Sequence, residues 1–204
     1  TIAGGAADGR IAEDSDYARM STTAKKIADA AEAAKSTAAA LMRLPGRMTA
    51  AVLYGSEDLR IEEIAVPAIA ADEVLLRVRI ALTDGTDLKV WKRGYHARMI
   101  QPPAVFGHEV VGEIVKTGRE VDHRWRVGMR VVAANSAPCL RCYHCRQGQE
   151  NLCDDLLFNN GAYAEYMRIP GRIVRENMLE VPENVTDEDA ALVEPLACVL
   201  RAVW

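Results

Sequence analysis

The sequence predicts a mainly β fold with short helices, arranged as a barrel or folded sheet. Three observations carry this. From Met48 onward apolar residues recur with a period of two, the alternating runs are short, and Gly- or Pro-bearing segments separate them. The chain has 204 residues, 50% hydrophobic and 26% charged. That is enough for one domain with an appendage, and for a sizeable core without crosslinks. A formal charge of -4 and a pI near 5.6 predict no broad basic surface, so nucleic acid is not an expected partner. No apolar run approaches the roughly 18 residues of a membrane span, so a membrane is not expected as a partner either. The N-terminus lacks the charged-then-apolar pattern of a secretion signal, and the expected location is the cytoplasm.

Residues 1–47 stand apart from the rest. The first twenty are rich in Gly, Ala and acids without periodicity and read as disordered. Residues 22–43 are alanine-rich, which favours a helix. Ile27, Ala31, Ala34, Ala38 and Leu41 form one thin apolar stripe, and Leu44-Pro45-Gly46 ends the pattern. A stripe made mostly of alanine buries little area, so this helix would dock weakly. The acids Asp8, Glu13, Asp14, Asp16, Asp29 and Glu32 argue against a transit peptide.

Beyond the extension, Ala51-Val52-Leu53-Tyr54, a Gly-Ser turn and a run over 59–64 predict a hairpin. Residues 73–82 predict a strand with Leu76, Val78 and Ile80 on one face and Arg77 and Arg79 on the other. Further strands are expected at 109–116, 129–134 and 163–169, and a short helix at 86–93. Thr186 with three following acids predicts a helix start, and Pro195 should kink or interrupt that helix.

Four of the five cysteines fall together as Cys139, Cys142, Cys145 and Cys153, spaced C-x2-C-x2-C-x7-C. Such spacing lets four thiolates wrap one ion, and structural zinc is the favoured reading. A disulfide framework would close strained loops between near neighbours, while an iron–sulfur cluster also takes four thiolates. His144 is superfluous to a filled tetrahedron and is expected to be exposed. Cys198, on a late apolar helix, reads as a small buried hydrophobe.

A second constellation begins at Gly107-His108-Glu109 and continues through Gly112, Gly118 and Val121. By itself His108 would read as a structural histidine; glycines at both ends of a strand, where tight turns and close backbone approach are needed, change that weighing. Here residues 48–203 resemble the catalytic domain of the zinc-dependent medium-chain alcohol dehydrogenases, in the style of the polyol, sugar and threonine dehydrogenase branch. The run G-H-E-V-V-G-E-I-V-K-T-G resembles that family's zinc signature, and the cysteine lobe with Gly148, Asn151 and Leu152 its structural-zinc loop. Gly161-Ala162-Tyr163-Ala164-Glu165-Tyr166 and Val193-Glu194-Pro195-Leu196-Ala197 resemble two further family segments in the family's order. The implied fold is a GroES-like β-barrel with a four-cysteine zinc lobe over 48–204, preceded by the extension 1–47.

The resemblance implies roles for particular residues. His108 matches a zinc ligand, Glu109 a glutamate that binds the zinc or stands behind it, and Glu194 a carboxylate ligand or holder of the zinc water. Thr86 matches the hydroxyl that begins proton removal from the alcohol. Asp87 matches a carboxylate that orients the histidine, and Lys89 lies where some relatives end a proton relay. Where the family has its first cysteine ligand, this chain has Asp84, in Asp84-Gly85-Thr86-Asp87. A carboxylate is an acceptable zinc ligand, which favours a working site open also to manganese or cobalt; the alternative is a site that has lost its metal.

The implied reaction is oxidation of a polyol- or sugar-like alcohol to a carbonyl, with a catalytic zinc beside the structural one and NAD or NADP as hydride acceptor. No G-x-G-x-x-G occurs in the chain, and Gly4-Gly5-Ala6-Ala7-Asp8-Gly9 lacks the spacing. The expectation is therefore the catalytic half of a dehydrogenase, inactive until a cofactor-binding domain is supplied. A stand-alone zinc-binding barrel with a structural or interaction role is the competing reading. Relatives usually associate through the cofactor domain, which leaves a homo-oligomer open.

Overall fold

The computed structural model describes residues 44–203. The expected disorder over the first twenty residues and the alanine-rich helix at 22–43 lie outside the described residues, as does Trp204. The described residues form ten strands and five short α-helices. In chain order they are β1 (Arg47–Gly55), β2 (Asp58–Ala65), β3 (Val74–Leu82), α1 (Gly85–Arg93), β4 (Ala104–Val105), β5 (Glu109–Thr117), β6 (Arg130–Ala133), β7 (Ser136–Ala137) and α2 (Tyr143–Arg146). After a 3-10 turn (Glu150–Leu152) come β8 (Leu157–Phe158), β9 (Tyr166–Ile169), α3 (Gly171–Glu176), β10 (Met178–Glu180), α4 (Asp187–Ala191) and α5 (Val193–Val203). None of the described helices is long and apolar enough to cross a membrane.

The strands form sheets ordered β2-β1-β4, β10-β6-β5-β3-β9 and β7-β8, with every pairing antiparallel. The predicted hairpin is β1 and β2. The residues leading into β9 join the two larger sheets: Ala50 bridges Ala164, and the Ala51 amide donates to the Tyr163 carbonyl at 2.8 Å. Among the described residues, no ladder joins β2 to β10. The expected barrel is therefore an open, folded pair of sheets. The main core lies on the five-stranded sheet and includes Leu76, Val110, Ile114, Val131, Met167 and Ile169, all nearly inaccessible to solvent, while Leu53 of β1 packs in a separate cluster with Val90, Ile100 and Phe106.

The central β3–β5 ladder carries two irregularities. Val74 pairs with Thr117 and Leu75 with Lys116, but Leu76 pairs with Ile114, which leaves Val115 as an extra residue on β5. Val78 then pairs with Gly112 and Ile80 with Val111, which leaves Arg79 as an extra residue on β3. A bulge shifts the alternation of every residue beyond it. The expected common face of Leu76, Val78 and Ile80 is thus broken: Leu76 and Val78 join the main core, while Ile80 packs with Val111 in a second cluster under α4. Arg79 reaches out to Asp187 at 2.6 Å, and Arg130 meets the same carboxylate at 2.7 Å.

At the C-terminal end the sequence signals are obeyed. The Thr186 side chain caps α4 by accepting from the Asp189 amide at 3.1 Å. The helical run then breaks at Leu192, three residues ahead of Pro195, whose missing N–H cannot bond back to Ala191. Beyond the break, Leu196, Val199, Leu200 and Val203 of α5 are more than half exposed. Cys198 is exposed with them, contrary to the expected buried packing residue. The sequence of α5 is apolar on most sides, so it does not say which side is covered; among the described residues only its first turn, through Val193, meets a core cluster.

Candidate metal centres

The lobe at 139–153 is built on a narrow base, the β7–β8 pair, with Ser136 opposite Phe158. Leu140 takes a left-handed turn at φ 58°, and Gly148 another at φ 70°. These reversals fold the segment so that the Cys139, Cys142, Cys145 and Cys153 sulfurs lie within 4.8 Å of one another. All five cysteines are free, which sets aside the disulfide reading. Backbone amides already point at the sulfurs: Cys139 N–H donates to Cys153 Sγ at 3.2 Å, and Cys142 N–H to Cys139 Sγ at 3.4 Å. The amides of Arg141 and Cys142 bring the Cys139 thiol down to about 6, while burial pushes Cys145 up to about 12. Four sulfurs on a zinc ion at about 2.3 Å would stand roughly 3.8 Å apart, so the set fits a single ion. His144 is half-buried rather than exposed: α2 folds it to 3.9 Å from Asp154, and its Nδ1 is enclosed without a partner among the described residues.

The second cluster draws on separate parts of the chain. Asp84 is the N-cap of α1, His108 precedes β5, and Glu109 is its first residue. One donor atom from each lies within 4.8 Å of the others. Glycines at the two ends of β5 make this packing feasible. Gly107 has φ 85°, and a Cβ there would meet the Tyr163 ring at 2.5 Å; one at Gly118 would strike the Ala70 and Ala71 carbonyls.

Asp84 has structural work as well. Its Oδ1 accepts from the amides of Thr86 at 2.7 Å and Asp87 at 3.0 Å, and its Oδ2 from the Thr86 hydroxyl at 3.0 Å. Asp87 accepts in turn from the Asp84 amide at 3.1 Å, completing a capping box. Burial pushes Asp84 up, but the amides of Asp87 and Thr86 and the Thr86 hydroxyl outweigh it and hold the carboxyl below its usual value. A carboxylate has about four acceptor positions, so the cap leaves Asp84 room for a further partner. Its Oδ1 is 3.9 Å from His108 Nε2.

His108 and Asp87 are each only 3% exposed, and His108 Nδ1 lies 3.1 Å from Asp87 Oδ1. A carboxylate only accepts, so Nδ1 carries the proton and Nε2 faces Asp84 with a free lone pair. Burial lowers the His108 pKa, but its bond to Asp87 and the charges of Asp87, Glu194 and Asp84 prevail and raise it. Glu109 is 1% exposed, and among the described residues its Oε1 receives no hydrogen bond. Burial first, then the Glu194 charge, push its carboxyl up to about 7. An orphaned buried carboxylate oxygen beside an imidazole lone pair and a second carboxylate is what a cation would satisfy. The residues present therefore fit a divalent metal.

The structure does not bring all the expected residues equally close. Glu194, on the first turn of α5, stands outside the three-donor cluster; its Oε1 accepts from Asn135 at 3.0 Å and lies 3.9 Å from Cys198 Sγ. Thr86 is half-buried against Asp84. Lys89 is exposed on α1 and makes no hydrogen bond or ion pair to the cluster among the described residues. A cleft of about 530 Å³ opens beside Glu194, lined mainly by Val132, Ala134, Asn135, Leu179, Ala197 and Cys198. Sequence reasoning missed one residue of this neighbourhood, Asn135, and one role, that of Asp84 as a cap. Asn135, which holds Glu194, carries no motif. Asp84 as a cap was readable, because Asp-x-x-Asp at the start of a helix is a capping-box pattern.

Comparison with known proteins agrees with this architecture. Residues 70–182 match the alcohol dehydrogenase GroES-like domain. The chain is 39% identical over 160 residues to a sorbitol dehydrogenase of Bombyx mori, covering 75% of this chain and 44% of that protein. It is 38% identical over 145 residues to an L-threonine 3-dehydrogenase of Chelativorans sp. (strain BNC1), covering 69% and 41%. A solved structure of a putative zinc-binding dehydrogenase from Sinorhizobium meliloti 1021, bound to NADP, superposes with a TM-score of 0.68 at 28% identity, covering 78% and 45%. The chain thus spans less than half the length of these relatives. Fold, four-thiol lobe and matched residues together make this chain a member of the zinc-dependent medium-chain alcohol dehydrogenase family, carrying its N-terminal GroES-like domain.

Proposed function

We propose that residues 48–204 are the catalytic domain of an NAD(P)-dependent alcohol dehydrogenase, with 1–47 as an extension, and that its substrate is a polyol or sugar-like alcohol. The observation that carries the reading is the cluster of half-buried Asp84 with buried His108 and Glu109, one Glu109 oxygen being unsatisfied. The sorbitol dehydrogenase relative supports the substrate class. When bound, a divalent ion held by Asp84, His108 and Glu109 would supply Lewis-acid polarisation of the alcohol oxygen, and the nicotinamide would supply the hydride acceptor. Asp87 keeps the His108 Nε2 lone pair aimed into the site. Thr86, hydrogen-bonded to Asp84, offers the hydroxyl through which the alcohol proton leaves. Burial of His108 and Glu109 keeps bulk water from one wall of the site. Glu194, fixed by Asn135, adds a carboxylate at the mouth. A cofactor domain outside residues 48–204 would hold the NAD or NADP. The cytoplasm, where free thiols persist, is the proposed location.

The capping duty of Asp84 favours a second reading, a structural zinc domain whose catalytic site has lost its metal. Metal analysis of the purified chain separates the two. The enzyme reading expects two ions per chain and one in Cys142→Ser; a single ion that vanishes in Cys142→Ser defeats it. Addition of a cofactor domain from a relative should then give NAD(P) reduction with sorbitol or a related polyol.

A further inference from the structure

We propose that Tyr163 is a positioning residue of the second metal centre, its hydroxyl fixing the orientation and tautomer of His108 through Asp87. The proposal rests on the metal-binding reading of His108 and adds a residue to it. The Tyr163 hydroxyl lies 2.9 Å from Asp87 Oδ2, 2.7 Å from Thr83 Oγ1 and 2.9 Å from the Leu82 carbonyl. A phenol has one proton to give. Asp87 is the charged acceptor among the three, and charge-assisted bonds are the stronger ones, so the proton goes to Asp87 while the Thr83 hydroxyl donates to the phenol oxygen.

Asp87 is then held on every side. Its Oδ1 takes the His108 Nδ1 proton, and its Oδ2 takes the Asp84 amide and the Tyr163 hydroxyl. Each of these donors belongs to a different part of the site, and Tyr163 is the one that comes from the β9 side. The tyrosine also grips the segment carrying His108. Its ring stands edge-on to Phe106 at 5.6 Å and lies over Gly107, where a side chain would collide with it. Its amide donates to the Phe106 carbonyl at 2.9 Å. Gly107 is thus the space this ring requires, immediately before the metal-binding histidine. A purely packing role needs the ring alone; the hydroxyl has no use in it, yet it sits at hydrogen-bond distance from the one carboxylate that orients His108.

Tyr163→Phe keeps the ring and removes the hydroxyl. In the full chain holding one zinc equivalent, so that the four-thiol lobe is filled, 15N spectra of the imidazoles report the His108 tautomer. At a pH alkaline enough to keep the imidazole neutral, the wild type should show a single Nδ1–H form and the variant a mixture. Competition titration with zinc should show the second site weakened about ten-fold, the order expected for loss of an outer partner, with the four-thiol site unchanged. An unaltered tautomer with unaltered second-site affinity overturns the proposal. Should the wild type bind only one ion, the metal reading itself fails, and the tautomer result alone decides for or against Tyr163. If Tyr163→Phe also weakens the four-thiol site, the fold has been disturbed, and Thr83→Val takes its place. That change removes the hydroxyl that donates to the phenol; a shift of the same kind supports the network, and no shift overturns it.

Discussion

The two donor clusters of this chain are assembled in opposite ways. In the lobe, all four sulfurs come from the stretch 139–153, folded by local turns on a two-residue ladder. In the other cluster, Asp84 begins a helix while His108 and Glu109 begin a strand, and the β3–β5 ladder brings them together. The lobe's thiols do little for the surrounding fold beyond accepting a few amide bonds. Asp84, by contrast, is a helix cap, and Asp87 both closes that cap and holds His108. A site made from one segment depends on its ion for order, whereas a site made from scaffold residues is ordered by the scaffold and has ligands that cannot be changed without touching the fold.

Substitutions can break this contrast. The largest effect is expected from Cys145→Ser: loss of the lobe's ion, protease sensitivity confined to 139–153, and a stability loss of about 4 kcal/mol in denaturant titration. The second cluster should keep its metal affinity in that variant. His108→Ala should do the reverse, reducing second-site zinc affinity by more than the roughly 10–100-fold seen when an outer partner is lost, with the lobe's content unchanged by metal analysis.

Next comes Asp187, whose carboxylate ties α4 to the bulged Arg79 and to Arg130. Burial pushes its pKa up, but the bonds and charges of the two arginines prevail and hold it below the usual carboxylate value. A depressed carboxyl stabilises fully above its unfolded pKa and loses that contribution as pH falls through the folded one. Asp187→Asn should therefore cost about 1–3 kcal/mol at pH 7, and the gap from wild type should shrink below about pH 4 in urea titrations. The smallest stability effect is expected at Asp84, where it is also the most informative. Asp84→Ala should cost about 1 kcal/mol through the lost cap, while Asp84→Asn should leave the melting temperature nearly unchanged. Both should weaken the second site in a zinc titration. If Asn retained full affinity, Asp84 would be a cap and nothing more.

The same contrast explains what could be read in advance. The lobe was legible because its chemistry is a spacing. The β1–β2 hairpin, α1, β5 and the break before Pro195 were legible because turn residues, caps and period-two runs are local signals. His108 and Glu109 stood out through the glycines around them. The bulges in β3 and β5 were not legible: alternating Leu, Arg, Val, Arg, Ile fits an unbroken strand equally well, and only pairing with β5 reveals the extra residue. Nor was the exposure of Cys198, since an apolar helix gives no hint of which side lacks cover. The Tyr163 hydroxyl and Asn135 act across long separations in sequence and leave no pattern along it. Short strands in number suggested a barrel or folded sheet without choosing between them, because strand number does not determine whether the last edge finds a partner.

The two bulges sit on opposite strands of one ladder. Val115 is extra on β5, and Arg79 is extra on β3, so the second cancels the first. Val74 faces Thr117 at one end of the ladder, and Leu82 faces Glu109 at the other, as they would in an unbroken ladder. Val115 and Arg79 are the residues without a partner, so deleting either one alone would close its own bulge and leave the flanking pairs, Leu82 with Glu109 among them, opposite each other. The frame that brings Asp84 and His108 together should survive each deletion, and what is lost is the local bend and added twist that a bulge gives its strand.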